Sequence, residues 1–592
     1  MRTRRTIFVA CILATFHAGM LLAQWASDPS KNTPVDTGGH SAADVVMLKD
    51  GAGGAFVVWD DTRAASGIPK IFAQHLDKNG NALWTANGLE ICPGGADQIV
   101  PQVAAVGDGG IIVSWAEQDR DSVLGSPSTA IFAQRIAPNG TLSWGNAGLA
   151  IAQPELLQLI YPISAGGIAA DGFGGAYVSW TELNYGFQNL IVARIDSSGN
   201  IHWSLPAMLG LSTLSSGLPD GGYSKIQLLQ NGTAGVIVAW TDVRNAFTTG
   251  ISLFAQKLDI TGARQWDTLG VALAPKPSFL QQQNNEVLVS DNAGGAIYAW
   301  EQSLGGSSSH AYAGHINSSG VLTWISPTDS LGTLADSAGS TGQEKISMIQ
   351  GGNGTAILTW TDGADYMYVQ KVASDGSLPW GAHPVSFAAN TSGEVLTTDD
   401  NGGAIVAWTQ GLQNGLNIFA QRVNSSEQPL WSNATYGTSG NPVSTTPSTY
   451  QEHPVIVSDD AGGAIVAWYD LRASSYGGPF DIYAQHIAGN GSVTKVNKQA
   501  SAVATEFSLS QNYPNPFNPS TMIQFTVPST GRAVLKVFNV LGQEVATLFN
   551  GEAAAGVNHQ VQFNASNLAS GVYFSRLEFD GKMQMNKMLL LK

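Results

Sequence analysis

The sequence is poor in charged residues, and basic residues are the scarcer kind. Lys and Arg together number 28 against 44 Asp and Glu, which gives a formal net charge of −16. Because nucleic-acid binding relies on concentrated basic charge, this composition argues against a nucleic-acid partner. Charged residues make up only 12% of the chain, whereas 43% are hydrophobic and 68 are glycine. The composition therefore indicates a packed, turn-rich globular protein rather than a disordered one.

Cysteine is almost absent, since the chain contains only Cys11 and Cys92. Cys11 lies in an amino-terminal segment that we expect to be removed. The mature chain then has a single thiol, which excludes an internal disulfide and a cysteine-based zinc site. No motif indicates a cofactor, so apolar burial and backbone pairing must hold the fold together.

Long apolar runs are also missing after residue 22. The first residues combine Arg2, Arg4 and Arg5 with an apolar stretch over 7–22 and the small residue Ala23. This order predicts a secretory signal peptide over residues 1–23. A membrane anchor is the alternative, but the stretch is shorter than the roughly 20 residues that a spanning helix needs. We therefore expect an exported protein without a membrane span.

An eightfold repeat occupies most of the chain. Its most regular phrase joins two glycines, an apolar run and a tryptophan, as in GGAFVVWDD (53–61) and GGAIVAWYD (462–470). A short apolar run precedes each copy, and two further strand-like phrases follow it, as in IFAQHLDKNG (71–80) and ALWTANGLEIC (82–92). Four strands per repeat fit this pattern. The nearly continuous apolar phrase indicates a strand covered on both faces, which is typical of a β-propeller blade.

The tryptophans indicate how the repeats close. Eight belong to the phrase with two glycines, and seven belong to the fourth strands, ending at Trp431. The last repeat lacks the second kind, while Trp25 is left over near the mature amino terminus. We predict an all-β fold in which residues 24–500 form an eight-bladed β-propeller of four-stranded blades, closed by the N-terminal strand. An open stack of β units, or two smaller sandwiches, is the alternative.

The sequence changes in character after residue 504, and the eightfold repeat ends. Short strand-like runs predict a linker over 501–510 and a small Ig-like β-sandwich over 511–592. Taken alone, the proline-rich segment is typical of a rigid linker. Gly571 alone is typical of a hairpin turn, and Tyr573 of a corner aromatic.

Taken together, these motifs resemble the type A C-terminal sorting domain of the type IX (Por) secretion system. The resemblance rests on QNYPNPFNP (511–519), LGQEV (541–545), LASGVYF (568–574) and the terminal lysines. It implies that the sorting signal consists of Pro514, Asn515, Pro516, Gly542, Gly571, Tyr573, Lys587 and Lys592. It also implies passage through the periplasm to the outer cell surface or the medium, with the type IX translocon and its sortase-like processing machinery as partners. The repeats resemble uncharacterised β-propeller cargo of the same system.

Two polar sets recur with the repeat. An acidic or amide residue stands two places after each second-strand tryptophan, and its acidic members are Asp61, Glu117, Glu182, Asp242, Asp362 and Asp470. These residues form a candidate ligand face, although a local Asp-x-Arg pair or a turn cap explains them as well. A base occurs in every third strand: His75, Arg135, Arg194, Lys257, His315, Lys371, Arg422 and His486. We interpret the basic set as a structural contact between blades.

The loops favour one face of the predicted ring. The loops between the second and third strands and the links between blades are long and variable, and they share one face, here called the long-loop face. No Gly-x-Ser-x-Gly, His-Glu-x-x-His or phosphate-binding glycine motif occurs, so we predict a binding or adhesion protein that is not an enzyme. A glycan or a surface protein is the expected ligand. The alternative is a polysaccharide lyase or glycosidase, with Glu117, Glu182 and Asp242 as its first candidate carboxylates.

Overall fold

The structure is a computed structural model, and it describes residues 25–591 with gaps. The segments left out of the description are 27, 40, 64–66, 120–127, 154–159, 185–186, 204–210, 214–225, 233–234, 243–250, 275–282, 304–308, 326–330, 337–341, 383, 389–390, 413–414, 433–439, 447–449, 473–477, 494–506, 513–514 and 554–558. The chain divides into two compact units, residues 1–495 and 496–592. Every regular element in the described ranges is a β-strand, so the predicted all-β class is confirmed.

The amino-terminal unit contains eight four-stranded antiparallel sheets within the described residues. Strand β1 (Thr33–Asp36) comes first in the chain but belongs to the last sheet. The first four sheets contain β2 (Ala43–Lys49), β3 (Ala55–Asp61), β4 (Lys70–Leu76) and β5 (Leu89–Glu90); β6 (Asp97–Ala105), β7 (Ile111–Asp119), β8 (Ser128–Ile136) and β9 (Leu149–Ala152); β10 (Ile160–Ala170), β11 (Ala176–Asn184), β12 (Phe187–Ile195) and β13 (Leu211–Thr213); and β14 (Ile226–Gln230), β15 (Gly235–Asp242), β16 (Ser252–Asp259) and β17 (Val271–Ala272).

The next four sheets repeat this order along the chain. They contain β18 (Gln283–Ser290), β19 (Ala296–Ser303), β20 (Ser309–Ile316) and β21 (Thr333–Leu334); β22 (Glu344–Gly352), β23 (Thr355–Thr361), β24 (Met367–Val372) and β25 (Val385–Ala388); β26 (Thr391–Thr398), β27 (Ala404–Leu412), β28 (Gly415–Val423) and β29 (Asn441–Ser444); and β30 (Gln451–Ser458), β31 (Ala464–Asp470) and β32 (Asp481–Ile487) with β1. In the eighth sheet the order is β1-β32-β31-β30, and Thr33 lies opposite Ala484.

In the second to seventh sheets, the second strand is buried because it packs on both sides. In β19, Ala296, Tyr298 and Trp300 join an apolar cluster with the fourth sheet. The alternate residues Ile297 and Ala299 join a cluster with the sixth sheet. Seven such clusters each combine two consecutive sheets. This arrangement explains why the repeated phrase is continuously apolar rather than alternating.

Aspartate and glycine shape the turn between the first and second strands. In the third sheet one carboxylate oxygen of Asp171 accepts the backbone N–H groups of Phe173 and Gly175, both at 2.8 Å. Gly174 has a φ of +86°, which residues with a side chain rarely adopt. A Cβ on Gly175 would lie 2.1 Å from the carbonyl oxygen of Ile195. The repeated Asp-x-x-Gly-Gly motif therefore closes a tight hairpin.

The carboxy-terminal unit contains two antiparallel sheets. One consists of β33 (Ser508–Leu509), β34 (Ser520–Thr526) and β37 (His559–Asn564); the other has the order β36 (Glu544–Ala553), β35 (Gly531–Asn539), β38 (Gly571–Phe579) and β39 (Lys582–Leu590). Both sheets contribute to one apolar core, with Phe525 and Phe563 from the first and Leu535 and Leu577 from the second.

Candidate functional site

The acidic set that follows the second-strand tryptophans is largely buried and bonded inside the protein. The indole Nε1 of Trp59 donates to Asp61 at 2.9 Å, and that of Trp468 donates to Asp470 at 3.0 Å. Asp61 and Asp470 have no exposed surface, and each also forms an ion pair with the arginine two places on, Arg63 or Arg472. Asp242 accepts from the indole of Trp240 in the same way, at 3.1 Å.

The other members of the set differ in their contacts. Asp362 accepts the hydroxyl hydrogen of Tyr368 at 3.0 Å and two backbone N–H groups of its own turn. The carboxylate of Glu117 packs on Gly95, where a Cβ would lie 2.6 Å from Oε2. The side chain of Glu182 lies outside the described residues. Contact of this set with a ligand therefore stays a prediction, while the bonds of Asp61, Asp242 and Asp470 agree with the alternative of a local cap.

The basic set of the third strands also makes structural contacts. His75, His315 and His486 each lie within 3.0 Å of the aspartate that opens the first turn of their own sheet. Arg135, Arg194 and Arg422 form the same pairing. Lys257 and Lys371 instead donate to a backbone carbonyl in the next sheet, Gly294 at 3.0 Å and Gly402 at 2.8 Å. Most of these bases therefore bond within their own sheet rather than between sheets.

These pairs affect the titration of the turn aspartates. Burial by itself would raise the pKa of Asp50, but hydrogen bonds from His75 and from two backbone N–H groups lower it below the usual value. The same balance lowers the pKa of Asp291 and of Asp459. These carboxylates therefore stay charged and hold the turns in place.

A third repeated feature lies at the beginning of the first strands. There the register with the second strand shifts, and residues of varied type adopt a positive φ: Asp44, Val100, Asn285, Lys345, Gly393 and His453. The residue before each bulge lies opposite the residue that follows the second-strand tryptophan, as Asn284 does opposite Glu301. The bulges therefore bring the first strands and the ends of the second strands together.

Buried carboxylates collect at these bulges. Glu286, Glu301 and Glu394 are 0%, 7% and 6% exposed. Glu286 accepts the hydroxyl hydrogen of Thr241, from the preceding sheet, at 2.9 Å. Glu301 accepts the backbone N–H of Lys345, from the following sheet, and the side-chain amide of Asn285 at 2.8 Å. Neighbouring sheets are therefore joined through carboxylates at this end.

Glu394 and Asp60, both at the bulges, have unpartnered carboxylate oxygens. Both carboxylate oxygens of Glu394 are buried without a hydrogen-bond partner, and so is Oδ1 of Asp60. Burial raises the pKa of Asp60 to about 7, helped by the charges of Asp44 and Asp61. Burial also raises the pKa of Glu301, against the hydrogen bonds from Asn285 and from backbone N–H groups. Such shifts of buried acids are common at functional sites.

Two cavities adjoin the bulges. One, of about 390 Å³, is lined by the first strands of six sheets, including Met47, Leu288, Met348, Leu396 and Ile456. The other, of about 280 Å³, lies at the bulges themselves and is lined by Asn285, Lys345, Ile346, Ser347, Gly393 and Glu394. Within the described residues, no three His, Cys, Asp or Glu side chains are grouped to hold a metal ion.

The repeated phrases do not point to this site, and its residues show why. The lining residues of the smaller cavity come from three sheets and have no common residue type at the bulge position. The one available signal is that apolar and polar residues stop alternating where the bulged first strands begin.

Asn515 and Tyr573, two residues of the predicted sorting signal, make side-chain hydrogen bonds in the carboxy-terminal unit. The side chain of Asn515 accepts the N–H of Leu589 at 2.9 Å and donates to the carbonyl of Lys587 at 3.2 Å. Tyr573 donates its hydroxyl hydrogen to the carbonyl of Ala569 at 2.8 Å.

Pro516, Gly542 and Gly571 also belong to the predicted sorting signal. Pro516 follows Asn515 through a cis peptide bond. Gly542 has a φ of +76° in the turn between β35 and β36, and Gly571 begins β38. Pro514 and Lys592 lie outside the described residues.

Comparison with protein families identifies the carboxy-terminal unit. Residues 511–591 match the family described as "Secretion system C-terminal sorting domain". The chain is therefore an exported protein that carries its own sorting domain. It is cargo of the type IX secretion system, bound for the cell surface or the extracellular space. No helix of the described residues has the length and apolar character to cross a membrane.

Solved structures resemble the chain only distantly, and no curated protein matches it. A protein of unknown function from Dyadobacter fermentans is 12% identical and has a TM-score of 0.35, with 78% of this chain and 98% of that one covered. A GH93 α-L-arabinofuranosidase of Fusarium graminearum is 11% identical at a TM-score of 0.33, covering 65% and 92%. An endo-arabinase from Bacteroides thetaiotaomicron is 13% identical at 0.27, covering 48% and 95%.

These comparisons correct the prediction that the chain is not an enzyme. Two of the similar structures are themselves glycoside-cleaving enzymes by their descriptions. The lack of a short catalytic motif is therefore no ground for excluding an enzyme. At these TM-scores the likeness carries no argument for a particular reaction.

Proposed function

We propose that residues 24–500 form a closed eight-bladed β-propeller, and that this unit binds a glycan outside the cell at the bulges of its first strands. Residues 1–23 are then a signal peptide that is removed, and residues 501–510 link the propeller to a sorting domain over 511–592. Export follows from the sorting domain. Closure and ligand binding rest on separate contacts.

Closure is supported by the contacts of Trp25. Its Nε1 donates to the carbonyl of Lys78 at 2.9 Å, and its backbone N–H donates to Asn79 at 3.0 Å. Six fourth-strand tryptophans make the same kind of contact with a turn of the next sheet, for example Trp431 to Gly489 at 3.1 Å. Trp25 thus joins the eighth sheet to the first as its counterparts join consecutive sheets.

The inner strands support the same closure. The N–H of Val45, in the first sheet, donates to the hydroxyl oxygen of Tyr469, in the eighth, at 2.8 Å. Lys49 and Asp460 form an ion pair at 2.7 Å between the same two sheets. A comparable contact joins consecutive sheets, where Glu301, the counterpart of Tyr469, accepts the N–H of the bulge residue Lys345.

The observation that carries the binding function is the group of buried carboxylates at the bulges. A carboxylate without hydrogen bonds is costly to bury, so a fold gains nothing by keeping one there. Glu394 is in this condition with both of its oxygens, whereas Asp60 has one unpartnered oxygen, Oδ1. Glu394 also lines a cavity. A ligand with hydroxyl donors would satisfy these oxygens. Sugars present many such donors, which favours a glycan over an apolar or anionic ligand.

A glycan and polysaccharide array with the mature protein, residues 24–592, tests this function. We expect retention of a small set of neutral glycans. Because Asp60 and Glu394 accept hydrogen bonds in the proposal, the variants Asp60→Asn and Glu394→Gln should weaken retention. An array with no bound glycan, or retention that both variants leave unchanged, would contradict the proposal.

The polysaccharide-cleaving enzyme remains a second candidate, and Asp60 is the observation that favours it. An acid with a pKa of about 7 is partly protonated at neutral pH, which suits the proton donor of glycoside cleavage. The test is the release of reducing ends or unsaturated products from the glycans that the array identifies. Activity that is lost in Asp60→Asn would favour the enzyme; unchanged glycans after prolonged incubation would favour binding alone.

A further inference from the structure

The smaller cavity contains an acid that the protein itself leaves unsatisfied. Glu394 follows the bulge residue Gly393 and is 6% exposed, with neither carboxylate oxygen bonded. The cavity that it lines has a volume of about 280 Å³. Ligand pockets for drug-sized molecules begin at about 300 Å³, so this cavity suits a single small unit.

The preceding repeats provide an internal comparison. Glu286 stands at the same place in the fifth sheet as Glu394 in the seventh, directly after the bulge residue. The hydroxyl of Thr241, in the sheet before, donates to Glu286 at 2.9 Å. Thr361 is the corresponding residue before Glu394, but both oxygens of Glu394 have no partner. Glu286 is thus bonded to its threonine in the fifth sheet, whereas Glu394 has no such bond in the seventh.

The neighbouring polar groups restrict what could fill this opening. The carboxylate of Glu301 is already occupied by Lys345 N–H and Asn285. Lys345 also lines the cavity, but no ion pair within 4.0 Å joins its ammonium to Glu394 in this part of the chain. The cavity is therefore bordered by Glu394, whose two buried oxygens are unbonded, and by Lys345.

We propose, on the basis of the proposed glycan-binding function, that this cavity holds one neutral sugar unit through two adjacent hydroxyl groups. Both hydroxyls donate to the two oxygens of Glu394, and the ammonium of Lys345 donates to an oxygen of the same unit. A neutral polyol can satisfy both groups at once. A cationic ligand is opposed by Lys345, and an anionic ligand is opposed by Glu394 and Glu301.

Ligand-observed NMR titration with the mature full chain tests this proposal. The probes are the neutral methyl glycosides of glucose, galactose, mannose and arabinose, with spermidine as the cationic probe and glucuronate as the anionic one. At least one neutral glycoside should bind. Because each lost hydrogen bond involves a charged group, Glu394→Ala should raise the Kd for this neutral glycoside by about 10- to 100-fold.

Two further variants make the result specific. Lys345→Gln should also weaken binding of the neutral glycoside. A melting curve of Glu394→Ala will show whether that variant folds, and if it does not, Lys345→Gln alone tests the cavity. Glu427→Gln is the matched control, because Glu427 lies in a turn of the same sheet as Glu394 and outside the cavity. It should leave the Kd within about twofold.

The outcomes separate this proposal from the wider one. If wild-type protein binds a neutral glycoside and neither cavity variant weakens it, the cavity assignment is wrong while glycan binding stands. Preference for spermidine or glucuronate would overturn the ligand class. If wild-type protein binds neither these probes nor any glycan of the array, the proposed function fails as well.

Discussion

Replacing Trp25 by alanine should loosen the seam between the eighth and the first sheet. Trp25 has no exposed surface, its ring centroid lies 6.1 Å from that of His486, and Gly80 packs directly on its indole. Truncation of a buried tryptophan to alanine costs about 3–5 kcal/mol. The lost hydrogen bond to Lys78 belongs to the same change.

Hydrogen exchange of the mature protein measures this cost locally. A loss of about 3–5 kcal/mol corresponds to about a hundredfold to a few thousandfold faster exchange, if β1 opens independently. We expect the increase in β1 (Thr33–Asp36) and in its partner β32 (Asp481–Ile487), with little change in the third to sixth sheets.

Trp431→Ala is the matched control for this experiment. Trp431 is 2% exposed and donates to Gly489, so it makes the corresponding contact between the seventh and eighth sheets. Its loss should speed hydrogen exchange at that junction and not selectively in β1. Unchanged protection of β1 and β32 in Trp25→Ala would refute the reasoning about the seam.

Three other predictions concern pH, sorting and the last strand. Burial raises the pKa of Asp36 to about 7, although the charge of Arg63 lowers it. The folded state therefore binds this proton more tightly than the unfolded state, and the contribution of Asp36 to the free energy of unfolding declines as pH rises from about 4 to 7. Urea unfolding across that range should show a shallower decline of this free energy in Asp36→Asn than in the wild type, and an identical slope would contradict this. Deletion of residues 507–592 should leave the protein in the periplasm, as cell fractionation would show, and arrival of the truncated protein at the surface would contradict the sorting role. Asn515→Ala removes two hydrogen bonds to β39, each contributing about 0.5–1.5 kcal/mol. The amide hydrogen of Leu589 should therefore exchange faster in the variant, while that of Phe574 in β38 should not. Equal exchange rates of Leu589 in the wild type and the variant would show that Asn515 does not stabilise this strand.

The repeated phrase predicts the strands well because one physical pattern determines it. A strand packed between two neighbours must be apolar at successive positions, and β19 shows this with Ala296 and Ile297 facing opposite sheets. The Asp-x-x-Gly-Gly turns are equally predictable, because positive φ and close backbone contact at Gly174 and Gly175 permit few residue types.

The candidate site could not be predicted in this way. Asn285, Lys345 and Glu394 reach one cavity from three sheets, and their bulges accept residues of any type. Three members of the acidic set, Asp61, Asp242 and Asp470, accept the indole hydrogen of the tryptophan two places before them, which accounts for part of the regularity in the sequence. Regular spacing thus marked residues that hold the fold, whereas Glu394 stands out only by its missing partners.

Pairing of β1 with β32 is the central claim, and a pair of cysteines tests it most directly. Thr33 and Ala484 lie opposite each other, at a separation that a disulfide spans in antiparallel strands. In a Cys92→Ser background, Thr33→Cys with Ala484→Cys should cross-link on mild oxidation, as non-reducing electrophoresis would show. Thr33→Cys with Ala420→Cys, the corresponding place in the seventh sheet, should not. Cross-linking of the second pair, or of neither, would contradict the closed eightfold ring.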